Sequence, residues 1–491
     1  MLFYVLLFVL ALLAILGQRR GLPPGPWGLP VLGYLPWIDP KAPHLTLARL
    51  ARKFGPIYSL SLGRVCAIVL TDPRTIRRLL AKDATSGRAP LYVTHGIMHG
   101  YGLICAEGDL WKDQRKFVHN WLRTAGGTKL GNQRKQMELL ILAHAQELVQ
   151  HIDGSLKTHP VDPLAALRHH LGSLVNQLVF GRRYQRDDPT WIWLQEQQEE
   201  GCKLIGVAGP LNFLPILRFL PTYKRTMSFL VEGQRKSHQY YQKLAKEVEP
   251  SVPLARNQNP GTITSLMEEF LMEKQLKAGT EDGQRFYNDR QMDHLVADIF
   301  GASLDTTLTT LRWFLLFLGL NQDVQRELHQ EIEAVVGKRA PSLEDMAAMP
   351  FMEACIAETQ RIRSVVPLGV PHGALEDLEV DGYRIPKGSL LLLLQWAIHM
   401  DETQYRDPET FNPGRFLDAE GRFCKGEFFM PFQTGKRMCV GDDLAKAIMF
   451  LFTVSIFQSF QVQVVGDVEL EGVCGITLSP QPYQVVFQSV L

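Results

Sequence analysis

The chain has 491 residues, 46% hydrophobic and 21% charged, with a formal net charge of +1 at pH 7. Such a composition supports a sizeable core and excludes an intrinsically disordered chain. With no long block of one sign, it also excludes a general nucleic-acid binder. The seven cysteines (Cys66, Cys105, Cys202, Cys355, Cys424, Cys439 and Cys474) are scattered and include no C-x-x-C pair. That argues against a disulfide framework or a structural zinc site. No Asn-x-Ser/Thr acceptor occurs, and both absences fit a body that faces the reducing cytosol.

In chain order, residues 1–17 come first, uncharged and almost wholly aliphatic or aromatic, with Arg19 and Arg20 close behind. This is the short end of a membrane-spanning helix. No basic side chain precedes the apolar run, so a cleaved secretory signal fits poorly. Cations on the C-terminal flank predict a luminal N-terminus and a cytosolic body. We expect an anchor over 1–20, a stiff proline-rich hinge over 21–36, where Pro23, Pro24, Pro26 and Pro30 cannot continue a helix, and one large domain over 37–491. Residues 58–70 read as a β-hairpin, being β-rich with a glycine between two apolar runs. Apolar residues at three and four spacing predict helices over 137–152, 164–180, 291–320 and 323–336. Residues 249–283 are largely polar, with Pro250, Pro253 and Pro260, and are expected to form a mobile surface connection. Further strands are expected at 378–385 and 389–394, around the turn signal Asp381-Gly382, and at 461–465 and 485–491. The body is thus predicted to be mainly α with small β-sheets.

Four groups of residues carry the chemistry. Phe432-Gln433-Thr434-Gly435-Lys436-Arg437-Met438-Cys439-Val440-Gly441 presents one thiol on a glycine-hinged loop with two cations beside it. A thiolate held this way suits axial ligation of haem iron, where it favours O–O cleavage. The alternative is an ordinary buried cysteine. Glu358 and Arg361 stand at i and i+3 on one helix face and can pair, with Arg415 following in Phe411-Asn412-Pro413-Gly414-Arg415-Phe416. Asp305 and Thr306 interrupt an apolar helix, where Asp is unfavourable and Thr can bond the i−4 carbonyl. They mark either a dioxygen groove or a helix with internally satisfied hydroxyls. Trp111 and Arg115, at i and i+4, share a face.

Together these residues resemble the cytochrome P-450 superfamily over the chain from the hinge to the C-terminus. The run F-x-x-G-x-R-x-C-x-G matches that family's haem-binding signature at every fixed position. The resemblance implies the haem-thiolate fold and haem b (iron protoporphyrin IX), with Cys439 as metal ligand. Phe432 and Gly435 would shape the loop, and Arg437, Trp111, Arg115 and His372 would face the propionates. Thr306 and Asp305 would handle protons. Glu358, Arg361 and Arg415 would form a buried scaffold in which Gly414 replaces the usual glutamate. Ser303 likewise departs from the family's glycine. The implied activity is NADPH- and O2-dependent monooxygenation at the endoplasmic reticulum membrane, in a single-pass protein fed by NADPH-cytochrome P-450 reductase. Lys112, Lys116, Lys436, Arg437 and Lys446 would be its docking cations. The alternatives are a non-catalytic haem-thiolate sensor and a rearranging enzyme that needs no external electrons.

Longer runs at 26–36, 91–102 and 204–215 look like arthropod microsomal ecdysteroid side-chain hydroxylases. The 25-hydroxylase (phantom) type is the nearer and the 26-hydroxylase the rival. That resemblance implies a steroid substrate in a pocket walled by residues 95–104, 207–213, 300–302 and 365–368.

Overall fold

The computed structural model describes residues 20–131, 133–156, 159–252 and 263–490. The apolar run expected to anchor the chain lies outside the described residues. Among those described, no helix is long and apolar enough to cross a membrane.

The hairpin forms as expected. Strands Ile57–Leu62 and Val65–Leu70 pair antiparallel from Ile57↔Leu70 to Leu62↔Val65. The second strand then pairs in parallel with Leu390–Leu393, from Ala67↔Leu390 to Leu70↔Leu393, and that strand pairs with His372–Gly373. A four-stranded sheet therefore joins the first hundred residues to the last hundred and thirty or so, at the long sequence separation typical of parallel pairing. Two of the other pairings were also legible. Leu378–Val380 pairs with Tyr383–Ile385 across Asp381 and Gly382, both at positive φ (52° and 80°), as a tight primed hairpin turn requires. Phe460–Val465 pairs with Gln484–Ser489.

Helices dominate the rest. The predicted ones are found at Arg134–His151, Leu164–Phe180, Asp289–Leu320 and Gln322–Val335. Asp289–Leu320 runs through the main core, where Leu295, Val296, Leu311, Trp313, Phe314 and Leu318 are buried. Its N-cap Asn288 accepts from the Gln291 amide.

One expectation needs correction. The described part of 249–283 is no surface connection but holds the helix Leu266–Leu276, with Leu266, Met267, Phe270, Leu271 and Met272 buried. Ser265 and Glu268 close a reciprocal capping box at its start, which satisfies two of the amides a helix leaves unpaired.

Candidate active site

The long helix, the helix Gly108–Ala125 and the loop before the helix Asp442–Ser459 enclose a cavity. Its empty space is about 1720 Å³, counted out to the solvent at its mouth. Phe432, Arg437, Cys439 and Gly441 line it from the loop, Trp111 and Arg115 from the Gly108–Ala125 helix, and Ala302, Ser303, Thr306 and Thr307 from the long helix.

The loop's shape follows from its glycine. Gln433 and Gly435 both sit in the left-handed region, at φ 59° and 79°. A Cβ on Gly435 would fall 2.4 Å from the Leu80 carbonyl oxygen, so only glycine fits. Gly441 differs. Its φ is −104° and a Cβ there would meet nothing within 4 Å, so its smallness leaves room at the cavity wall without relieving the backbone. The Cys439 amide donates to the Phe432 carbonyl at 3.0 Å and closes the loop. Cys439 itself is accessible through the cavity. The protein around it still desolvates the sulfur. Burial pushes its thiol up, while the Gly441 amide and the Arg115 guanidinium pull it down.

Three guanidiniums share this wall, and none is in ion-pair contact with a carboxylate among the described residues. Arg437, buried, donates from Nε to the Ser86 carbonyl at 2.6 Å and lies 4.4 Å over the Trp111 ring. Arg88 donates to the carbonyls of Ile104 (2.6 Å) and Pro371 (2.7 Å), and Arg115 to that of Met438 (2.8 Å). Burial and repulsion by Arg88 push Arg437 down to about 8, and burial pushes Arg88 down to about 10. A cluster this poorly compensated calls for an external anion.

Asp305 and Thr306 face different ways. Thr306 lines this cavity, and its Oγ1 donates to the Ala302 carbonyl at 2.8 Å. Asp305 lines a second cavity with Glu199, Cys202, Lys203 and Arg312, and its Oδ2 accepts from Thr477 Oγ1 at 2.8 Å. Burial pushes the Asp305 carboxyl up.

Away from the cavity, Glu358 and Arg361 are fully buried and doubly paired, at 2.6 and 2.8 Å, and Arg415 Nε stands 3.3 Å from Glu358. Gly414 in the glutamate's place donates its amide to Asn412 Oδ1 at 3.0 Å. His372 stands just behind the wall. Nδ1 lies 3.0 Å from the Thr85 carbonyl and Nε2 lies 3.4 Å from Oε1 of the cavity-lining Gln433. Burial pushes its imidazole down to about 3. Phe300 packs against Phe180 and Trp191, and Phe213 joins the small core with Ile38 and Leu47. Neither lines the cavity, contrary to the pocket expected from sequence. Of the expected walls, Leu103, Ile104, Ala302, Val365 and Val366 do.

A family model described as Cytochrome P450 matches residues 23–487. The chain belongs to the cytochrome P450 family. It is 42% identical over 510 residues to cytochrome P450 306a1 of Drosophila melanogaster, covering 95% of this chain and 88% of that one. Cytochrome P450 18a1 of the same organism is 33% identical over 95% of this chain and 87% of its own length. Human cytochrome P450 2U1 is 33% identical over 98% and 92%. Membership makes the protein a haem-binding monooxygenase with the P450 fold.

The residues of this P450 fit the group. Cys439 offers sulfur to the cavity, and the carboxylate-free Arg88, Arg115 and Arg437 offer charge to the propionates. Several wall residues escaped the sequence reading: Arg88, Asp298, Gln360, Ser364 and His399. Arg88 belongs to no spaced motif. Asp298 left a signal, an acid inside the apolar run Leu295-Val296-Ala297-Asp298-Ile299-Phe300, which is costly unless the carboxylate is used.

Proposed function

We propose that this P450 is a membrane-anchored steroid hydroxylase, with Cys439 as its iron ligand, that hydroxylates an ecdysteroid precursor at side-chain carbon 25. One observation carries the haem-thiolate part: Cys439, Thr306 and the three carboxylate-free guanidiniums meet in one cavity. The steroid reading is supported by the resemblance of runs 26–36, 91–102 and 204–215 to ecdysteroid side-chain hydroxylases, and by apolar walls such as Leu103, Val118, Val365 and Val370. Electrons come from NADPH through cytochrome P-450 reductase, and residues 1–20 hold the domain 37–491 at the endoplasmic reticulum membrane.

When bound, haem supplies dioxygen activation and insertion of one oxygen atom into a C–H bond. The chain's residues do the rest. Cys439 ligates through sulfur, and the Gly441 amide tempers its charge. Arg88, Arg115 and Arg437 hold the propionates, with Trp111 stacked beneath Arg437. Burial favours the protonated form of the Asp305 carboxyl, which faces the second cavity. Thr306 Oγ1 faces the reacting cavity and would offer its own proton there by giving up its bond to the Ala302 carbonyl. Adjacent residues on one helix thus face a polar cavity and the reacting one.

The deciding experiment reconstitutes the protein with reductase and NADPH, supplies a panel of sterols and maps the added hydroxyl. Carbon 25 is expected, a terminal-carbon product would indicate 26-hydroxylation, and no steroid product would overturn the substrate reading. Cys439→Ala is expected to abolish the thiolate-type spectrum of the reduced carbon monoxide complex. An unchanged spectrum would refute the ligand assignment.

A further inference from the structure

Asp298 stands eight residues before Thr306 on the long helix, about 12 Å along its axis at 1.5 Å per residue. It is 6% exposed and lines the main cavity. Its two oxygens are used differently. Oδ2 accepts from the amides of Leu103 (2.7 Å) and Ile104 (2.8 Å). Among the described residues no donor reaches Oδ1, and no cation is in ion-pair contact with the carboxylate.

The wall it holds is fixed from every side. Gln291, seven residues earlier on the same helix, clamps Gly102 through both backbone atoms, with Gly102 N donating to Oε1 (3.0 Å) and Nε2 donating to Gly102 O (2.9 Å). Gly102 sits at φ 84°, and a Cβ there would fall 2.3 Å from Asp298 Oδ2. Arg88 takes the Ile104 carbonyl on the other side. Segment 102–104 is therefore a rigid wall, and the carboxylate that holds it keeps an unused acceptor beside an otherwise mainly apolar cavity. Burial pushes the Asp298 carboxyl up to about 6, which leaves it ionised at slightly alkaline pH. A carboxylate oxygen at a cavity wall, with no donor from the protein, takes its hydrogen bond from whatever fills the cavity.

We propose that Asp298 is the polar anchor of the substrate cavity: Oδ1 accepts a hydrogen bond from a substrate hydroxyl, so this P450 selects apolar alcohols over the matching ketones or ethers. A ketone or ether brings only an acceptor and leaves two acceptors facing each other. The inference rests on the main cavity being the substrate site and narrows the substrate to molecules that already carry a hydroxyl.

The test measures dissociation constants of the haem-loaded enzyme at slightly alkaline pH from the substrate-induced shift of its Soret band. Two matched pairs are used: a 3β-hydroxysteroid with its 3-ketone, and hexadecanol with its methyl ether. The wild type is expected to bind the alcohol about tenfold tighter or more, as a hydrogen bond to a charged group implies. Asp298→Asn keeps an oxygen for the Leu103 and Ile104 amides but turns its NH2 to the cavity, and is expected to abolish the preference. Asp298→Ser removes both oxygens and is expected to do the same. Equal binding within both pairs by the wild type overturns the proposal, as does a preference that survives both substitutions with an intact carbon monoxide spectrum. If neither steroid binds but the alcohol–ether pair is discriminated, the steroid reading fails and the anchor stands. If both variants lose haem, the wild-type pairs decide.

Discussion

Two groups of interior arginines sit at the two ends of this P450's charge balance. Arg361 and Arg415 converge on Glu358, and the remaining Arg361 donors reach the carbonyls of His399 (2.9 Å) and Pro408 (2.7 Å). Arg88, Arg115 and Arg437 reach backbone carbonyls alone. The first group is closed, since both its guanidiniums pair with a carboxylate inside the fold. The second is open, and its charge waits for an anion brought by something else. A closed group sets shape. An open group binds.

The largest effect is expected from breaking the closed group. Glu358→Ala strands two guanidiniums in the interior and is expected to cost about 3–5 kcal/mol, read from denaturant unfolding of the holoenzyme. The same operation on the open group should reverse the sign for the cofactor-free protein. Arg437→Ala removes a charge that burial and Arg88 already disfavour, so the apo form is expected to melt no lower than wild type. Haem is expected to bind about tenfold more weakly or worse, because a charge-assisted contact is lost. A matched fall in apo and holo melting would mean that Arg437 is a scaffold residue like Arg361.

Acid sharpens the contrast. His399 lies beside Arg361, and His372 beside Arg88 and Arg437. Burial first, and those arginines second, push both imidazoles down to about 3. The unfolded chain protonates them near 6.5, so their contribution is full above about 6.5 and is lost as pH falls from there toward 3. Asp293 and Asp298, raised to about 7 and about 6, run the other way. Their contribution is full below 3.8 and lost as pH rises through those values. The histidines dominate on the acid side, and melting temperature is expected to fall between pH 7 and 5. The fall should be shallower with haem bound, because the propionate contacts proposed for Arg88 and Arg437 would relieve His372 but not His399. The smallest stability effect is expected from Thr306→Ala, which removes one helix back-bond and changes stability by about 1 kcal/mol or less. Its signature is kinetic: reducing equivalents diverted to hydrogen peroxide, measured against product formed. Full coupling would remove Thr306 from the relay.

What the sequence made legible follows the same division. Glu358 and Arg361 are three residues apart on a helix, and Gly435, Arg437 and Cys439 share one loop, so fixed spacing exposes them. The Gln291–Gly102 clamp and the Asp298 bonds to Leu103 and Ile104 join segments nearly two hundred residues apart, and no local pattern encodes such a meeting. The buried helix Leu266–Leu276 was missed for another reason. Its prolines and polar flanks outweighed Ser265-x-x-Glu268, a start signal that was present in the chain. Segment 207–213 was assigned to the pocket by resemblance, yet Phe213 packs with Ile38 and Leu47, because the apolar surface beside the hairpin needed covering.

The parallel pairing of Ala67–Leu70 with Leu390–Leu393 has a cost during synthesis. When the Val65–Leu70 strand leaves the ribosome, its partner is about three hundred residues from being made. At 5–20 residues per second the outer edge of that hairpin stays bare for roughly fifteen seconds to a minute, apolar and unpaired. A nascent chain with this topology depends on a holdase or on early cover of that edge, and slowing translation before residue 390 should raise its tendency to aggregate.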